Sequence, residues 1–354
     1  MVLLIKESFM AELLKSESPV SPSVQDITEA LKIVVDDGSK AAKLVCLNER
    51  NELVPLLTQN SFVPDFRVRH EGLNPFNYLI DGLERFSHHS ESSNSLESTD
   101  VSHQYDEISR LNVHHALHAS GLVPQDVHLF VTLPLSQFYT ALGETNIENI
   151  QRKKDNLMKP VERYLDGKRY SFNVLSVTVF PESLPAVTRA DEIEDIASFE
   201  SSLVIDLGGT TLDVASITGQ LEQISKVKGF DRIGCSIVYD EISRYLESEK
   251  LNTSNAYIHH LVDNRHDKSA LKVAEDKRDG VFDAVNSAVQ KLQSKVIRAV
   301  TQVEERPHNV FLVGGGSYLI ETAIRKHFET AKVIMVDNPQ FALSLAIADT
   351  IYSE

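Results

Sequence analysis

The sequence predicts an α/β protein built of two similar domains that face each other across a cleft. Its 354 residues make about two domains at roughly 150 residues each, enough for two sizeable cores. Short β-branched runs alternate with segments of helical period. An internal repeat is the third observation: a β-strand, an acidic Gly-Ser or Gly-Thr turn and another strand occur at 31–47 and again at 202–217, about 170 residues on. Hydrophobic residues at 42% and charged residues at 24% fit a soluble globular chain. The net charge of −16 opposes direct, non-specific binding to nucleic acid or anionic membranes. Cys46 and Cys235 stand in no CxxC spacing, which argues against a disulfide framework or thiolate zinc and fits a reducing cytoplasm. No uncharged apolar run reaches the roughly 20 residues of a spanning helix.

Residues 1–30 read as an amphipathic arm and linker. Val2, Ile5, Phe9 and Leu13 recur at helical spacing, and Ser16 to Ser23 holds two prolines and four serines. Lys6 and Glu7 interrupt the apolar start, which makes a poor signal peptide. The arm is either a dispensable tail or a docking helix for a partner groove. Leu31 to Val35 begins a strand that ends in Asp36-Asp37-Gly38-Ser39, and Leu44, Val45 and Leu47 begin its partner. Phe76–Ile80 and Leu83–Phe86 flank Asp81-Gly82, a hairpin signal. The Ser- and His-rich stretch 87–104 reads as a mobile surface insertion. A helix over 108–120 stops at Gly121, and a buried-type strand over 127–133 stops at Pro134. Residues 149–163 read as a polar, basic surface helix, 172–180 as a strand, and 190–199 as a short acidic helix. Strands at 202–205 and 214–217 flank the Asp206–Asp213 turn. A long helix covers 281–303, a strand at 310–313 runs into Gly314-Gly315-Gly316, and a last helix covers 341–352. The expected division is a first domain over 31–200, with an inserted subdomain about 60–106, and a second over 201–354, with an insertion about 230–300.

The repeated turns point to phosphate chemistry. A Gly turn between strands lets backbone N–H groups converge on an anion. Ser39, Thr210 and Thr211 add hydroxyl donors, so two such turns from opposite domains can grip phosphates from both sides. Asp36 and Asp206, at the strand ends, would repel phosphate unless a cation intervened, and Mg²⁺ suits that place. Lys43 can return along the second strand to neutralise phosphate charge. No Gly-Lys-Ser/Thr opens a helix and no G-x-G-x-x-G follows a strand, which excludes a Walker A loop and a dinucleotide fold. Read singly, Glu182 could be a solvated loop acid, and Asp37 a turn residue satisfying backbone N–H groups. His114 and His118 (i, i+4) could ligate a metal but lack a third ligand, so packing or exposure is the plainer reading. The run Gln151-Arg152-Lys153-Lys154 could be a solvated face, a filament contact or a DNA contact. The two cysteines read as packing residues.

The two phosphate turns, the Gly-Gly-Gly turn and their order resemble the actin, sugar-kinase and heat-shock-chaperone superfamily. Val113–Leu117, Thr132–Leu135, Glu148–Lys154, Pro181–Ala186 and the 206–213 turn resemble the plasmid-segregation ATPase family ParM, also called StbA, from about Leu31 to the C-terminus. Residues 1–30 and 87–104 depart from that pattern. The resemblance implies an actin-like fold with two similar α/β domains around a nucleotide cleft. It places Asp36 near the cation through water, Gly38, Ser39 and Lys43 on phosphates, and Glu182 where the attacking water is oriented. Asp206 would complete the cation and water network. Gly208, Gly209, Thr210 and Thr211 would hold the outer phosphates, and Gly314, Gly315 and Gly316 would let the backbone approach the adenosine.

A glutamate held between two prolines, Pro181 and Pro185, after a buried strand can be aimed rigidly, which agrees with the positioning carboxylate that phosphoryl transfer to water needs. The implied activity is Mg²⁺-dependent hydrolysis of ATP, with GTP open, coupled to head-to-tail filament assembly in the cytoplasm. A ParR-like adaptor on centromere DNA would carry the DNA contacts, and no membrane is involved. A small-molecule kinase and a chaperone-type ATPase of the same superfamily are the alternatives. The first lacks an assignable base, and the second would normally carry a peptide-binding domain.

Overall fold

The computed structural model describes residues 30–68, 75–89, 104–140 and 142–353. The N-terminal arm up to residue 29 and most of the Ser/His-rich stretch, 90–103, lie outside the described residues. Two five-stranded sheets share one topology. In the first, β1 (Leu31–Asp37), β2 (Ala41–Leu47) and β3 (Leu53–Gln59) form an antiparallel meander. Beyond β1 lie β7 (Asp126–Leu133) and β10 (Asn173–Pro181), both parallel. In the second, β11 (Ser201–Leu207), β12 (Thr211–Thr218) and β13 (Gln223–Asp231) repeat the meander. β14 (Asn309–Val313) and β15 (Lys332–Met335) extend that sheet in parallel. The repeat seen in the sequence is therefore a repeat of whole sheets.

Side-chain alternation along β1 and β11 builds the layers. Val34 and Val204 face a shared central core, whereas Ile33 and Val35, and Leu203 and Ile205, face outward to separate cores. The central core holds α8 (Ala342–Ser353), apolar on nearly every side and clasped by both sheets. Behind the first sheet pack α1 (Glu107–Ala119) and α3 (Ile147–Leu157). Behind the second pack α4 (Ser236–Ser248), α5 (Asn255–Asp263), α6 (Glu275–Thr301) and α7 (Ser317–His327). Each fully buried Val, Leu or Ile contributes roughly 1.5–3 kcal/mol. Among the described residues no helix is long and apolar enough to cross a membrane.

A third sheet, in order β4 (Phe62–Pro64), β6 (Glu84–His88), β5 (Asn77–Ile80), β8 (Val161–Leu165) and β9 (Lys168–Tyr170), stands on α1. Its hairpin turns at Asp81 (φ 51°) and Gly82 (φ 73°), the left-handed pair that tight hairpins prefer. Ser87 and His88, read as part of the insertion, belong to β6. The expected helix over 149–163 ends at Leu157. Pro160 follows, restricting the residue before it, and the chain re-enters the third sheet as β8. The expected acidic helix over 190–199 is instead one short 3₁₀ turn, Asp191–Asp195, which follows another at Pro185–Arg189. Ile193 and Ile196, three residues apart, both anchor in the central core, a spacing that suits a 3₁₀ turn.

His114, His115 and His118 are buried on α1. The His115 ring stacks on His88 at 3.9 Å and shares a 2.8 Å hydrogen bond with Tyr78. His118 lies edge-on to Phe172 at 5.0 Å. Burial, with neighbouring positive groups, pushes His114 down to about 4 and His118 to about 3.

Candidate functional site

The two matching meanders bring their first turns together. Ser39 Oγ of one and Thr210 Oγ1 of the other share a 2.7 Å hydrogen bond. Gly209 closes this contact: a Cβ there would come 2.6 Å from Lys40 Cγ. Every residue assigned above to the nucleotide or its cation, from Asp36 and Gly38 to Gly314–Gly316, lines one cavity of about 650 Å³ between the sheets. Tyr239, Asp240 and Asn255 line its far wall, on α4 and α5, which sequence reading left unassigned.

Beneath the turns lies a knot of charge. Asp36 faces Lys43 across β1–β2, and the two form a 2.9 Å ion pair. Burial alone would lower Lys43, but Asp36, Asp206 and Glu182 outweigh it and hold the ammonium above its usual range. At the equivalent place in the second sheet, Asp206 faces Asp213 across β11–β12. Burial and then Asp36 raise Asp206 to about 6. Burial and then Asp206 raise Asp213 to about 8. Glu182 is pushed well above the carboxylate range by burial, then by Asp213, Asp36 and Asp206. Asp36, Asp206 and Glu182 all act on Lys43, and they crowd negative charge that a bound cation would relieve.

Glu182 is aimed by backbone. Its N–H donates to Leu133 O at 2.8 Å, at the end of the β7–β10 pairing. The next residue, Ser183, is buried at φ 70°, a conformation that its surroundings must enforce. The glycine triplet has reasons within the protein as well. Gly314 has φ 82°, and a Cβ there would collide with Asp206 Oδ1; one at Gly316 would meet Cys235 Sγ at 2.6 Å.

Asp213 has a role that its place in the 206–213 turn does not reveal. Its Oδ1 accepts from Leu135 N–H at 3.0 Å, where the short α2 (Leu135–Phe138) begins with no side-chain cap of its own. A residue of the second sheet thus holds a backbone turn that follows the first. The available signal was position: Asp206 and Asp213 each lie 170 residues after Asp36 and Lys43. Asp37, expected to satisfy its own turn, instead forms a buried ion pair with Lys153. Lys153 is therefore no solvated or DNA-facing residue, whereas Arg152 beside it lies over Tyr105 at 4.2 Å. Cys46 and Cys235 are free and buried, Cys235 at the cavity wall.

Two sheets of one topology, meeting through paired turns over a carboxylate cluster, define an actin-like protein. Solved structures agree on the fold. A non-polymerisable quadruple mutant of pCBH ParM superposes with a TM-score of 0.69 at 14% identity, over 92% of this chain and 100% of that one. The archaeal actin homologue Ta0583 in complex with ADP gives 0.67 at 16% identity, over 92% and 100%. A 15-stranded ParM filament from Clostridium botulinum gives 0.67 at 16% identity, over 92% and 99%. Sequence models narrow the class. The plasmid segregation protein ParM N-terminal model matches residues 31–193, and the ParM C-terminal model matches 196–350. The chain belongs to the plasmid segregation protein ParM family. No curated protein sequence matches it.

Proposed function

We propose that this chain is a Mg²⁺-dependent ATPase that assembles with ATP into dynamic filaments and moves plasmid DNA through a ParR-like, centromere-bound adaptor. The single observation behind this is the Ser39–Thr210 contact, which sets two glycine turns over Asp36, Glu182 and Asp206 in one cavity. Halves 31–200 and 201–354 would close on the nucleotide. Gly38, Gly208, Gly209 and Thr211 offer backbone and hydroxyl donors to phosphates, Ser39 and Thr210 exchange their mutual bond for phosphate oxygens, and Lys43 supplies positive charge. The donor set fits a hard cation, because Asp36 and Asp206 are crowded carboxylates. Among the described residues no three acidic, His or Cys side chains form a metal-binding group, so phosphate oxygens and water would complete the shell, as Mg²⁺ prefers. When bound, Mg²⁺ would neutralise phosphate charge. Glu182 would hold the attacking water and accept its proton once a bound cation relieves the crowding that raises its carboxyl. The backbone at Gly314–Gly316 would pass close to the nucleoside.

The filament reading draws on the family and on the filament reported for the Clostridium botulinum relative; ATP over GTP draws on the family alone. The acidic net charge of −16 supports leaving DNA contact to the adaptor, and the absence of a spanning helix among the described residues is compatible with the cytoplasm. Right-angle light scattering with Mg-ATP, read beside phosphate release, tests the proposal. A rise that decays as ATP is consumed is expected. Phosphate release with no rise over a wide concentration range would refute assembly and restore the kinase and chaperone-type readings. Glu182→Ala should bind ATP and assemble, yet release phosphate at least about 100-fold more slowly, the usual scale of a lost general base. Asp206→Ala should weaken cation and phosphate binding together.

A further inference from the structure

Asp37 and Lys153, which play no part in the cleft chemistry above, meet behind it. Side chains alternate along β1, so Asp36 and Asp37 leave opposite faces. Asp36 enters the cavity and pairs with Lys43. Asp37 turns to the back of the sheet and pairs with Lys153 of α3; both side chains are fully buried. Ser109 Oγ of α1 donates to Asp37 Oδ2 at 3.2 Å, and Asn112 Nδ2 reaches Gly38 O at 3.5 Å. Lys153 also donates to Gln104, and Gln104 lines the cavity.

The second half solves the same position differently. There Leu207 follows Asp206 and packs into an apolar core. A buried ion pair seldom stabilises a fold more than apolar residues of similar volume would, because two charges must be desolvated. The apolar solution is open to this architecture and the first sheet does not use it. Such a pair can instead enforce one orientation.

We infer that Lys153 is a positioning residue for the first phosphate turn. Its ion pair with Asp37 holds the Asp37–Ser39 backbone so that Gly38 N–H and Ser39 Oγ face the phosphate site. This rests on the nucleotide reading above. The test uses the full chain and three forms: wild type, Lys153→Met, and the double variant Asp37→Leu/Lys153→Met, which copies the apolar arrangement of the second half. Binding of fluorescent ADP with Mg²⁺, thermal melting without nucleotide, and amide exchange over 36–41 are read on each. Lys153→Met should weaken ADP binding tenfold or more and lower the melting temperature. The double variant should melt near wild type yet keep the tenfold loss and the faster exchange. Recovery of binding together with melting in the double variant would reduce Lys153 to a structural part and overturn the inference, as would ADP affinity within twofold of wild type in Lys153→Met. If Lys153→Met does not fold, the double variant decides, since it leaves no buried charge unpaired. Wild type that binds no nucleotide refutes the nucleotide reading instead; exchange over 36–41 then decides for Lys153, and unaltered rates overturn it.

Discussion

Replacing Asp213 with asparagine should stabilise the nucleotide-free protein, and increasingly so as pH rises. Asp213 is 2% exposed, and burial together with the facing Asp206 raises its carboxyl from 3.8 to about 8. Between those values the folded state keeps a proton that the unfolded chain has released. Folding stability therefore falls as pH rises through this window, by about 1.4 kcal/mol per unit. From pH 5 to pH 8 the wild type loses about 4 kcal/mol on this account, and the Asp213→Asn variant has no such proton to hold. The new amide oxygen can still accept from Leu135 N–H, so the 3.0 Å bond survives. Melting curves of both proteins with a chelator present should nearly coincide near pH 4. They should then diverge by on the order of 5–10 °C by pH 8, given a few degrees per kcal/mol, with the gap constant above that. A gap that ignores pH, or a variant that melts below wild type at pH 8, would refute the assignment of a strained, protonated Asp213.

Gly209→Ala puts a methyl 2.6 Å from Lys40 Cγ. It should wedge the two turns apart and weaken nucleotide binding roughly tenfold, about 1.4 kcal/mol, with little loss in melting temperature; unchanged affinity would count against the closed-turn geometry. His118, held near 3 by burial, contributes stability that is present above its unfolded value of 6.5 and lost as pH falls toward 3. His118→Phe should flatten the acid limb of the stability curve by about 1.4 kcal/mol per unit, and an identical limb would show that His118 does not carry it.

Local chemistry is what the chain carries openly. The 31–47 and 202–217 repeat was legible because turn residues and strand period are properties of neighbours in sequence. Asp36 and Asp206 stood out because each lies near a strand end, two residues before a glycine, whereas Glu182, open to a solvated reading on its own, took its role from the family resemblance. The edge strands β3, β13 and β15 gave no such signal, and neither did β8 and β9, which complete the third sheet far from its hairpin. The fate of the charged residues was likewise hidden. Asp37 and Lys153 stand 116 residues apart, and Asp213 and Leu135 78. A lysine in a polar helical run reads as solvated until another element supplies a buried carboxylate. Sequence alone determined the paired turns and their order, because backbone propensity acts over a few residues. The tertiary structure decided which charges are buried, paired and strained, because desolvation and Coulomb energy depend on which distant segments the fold brings within a few ångströms.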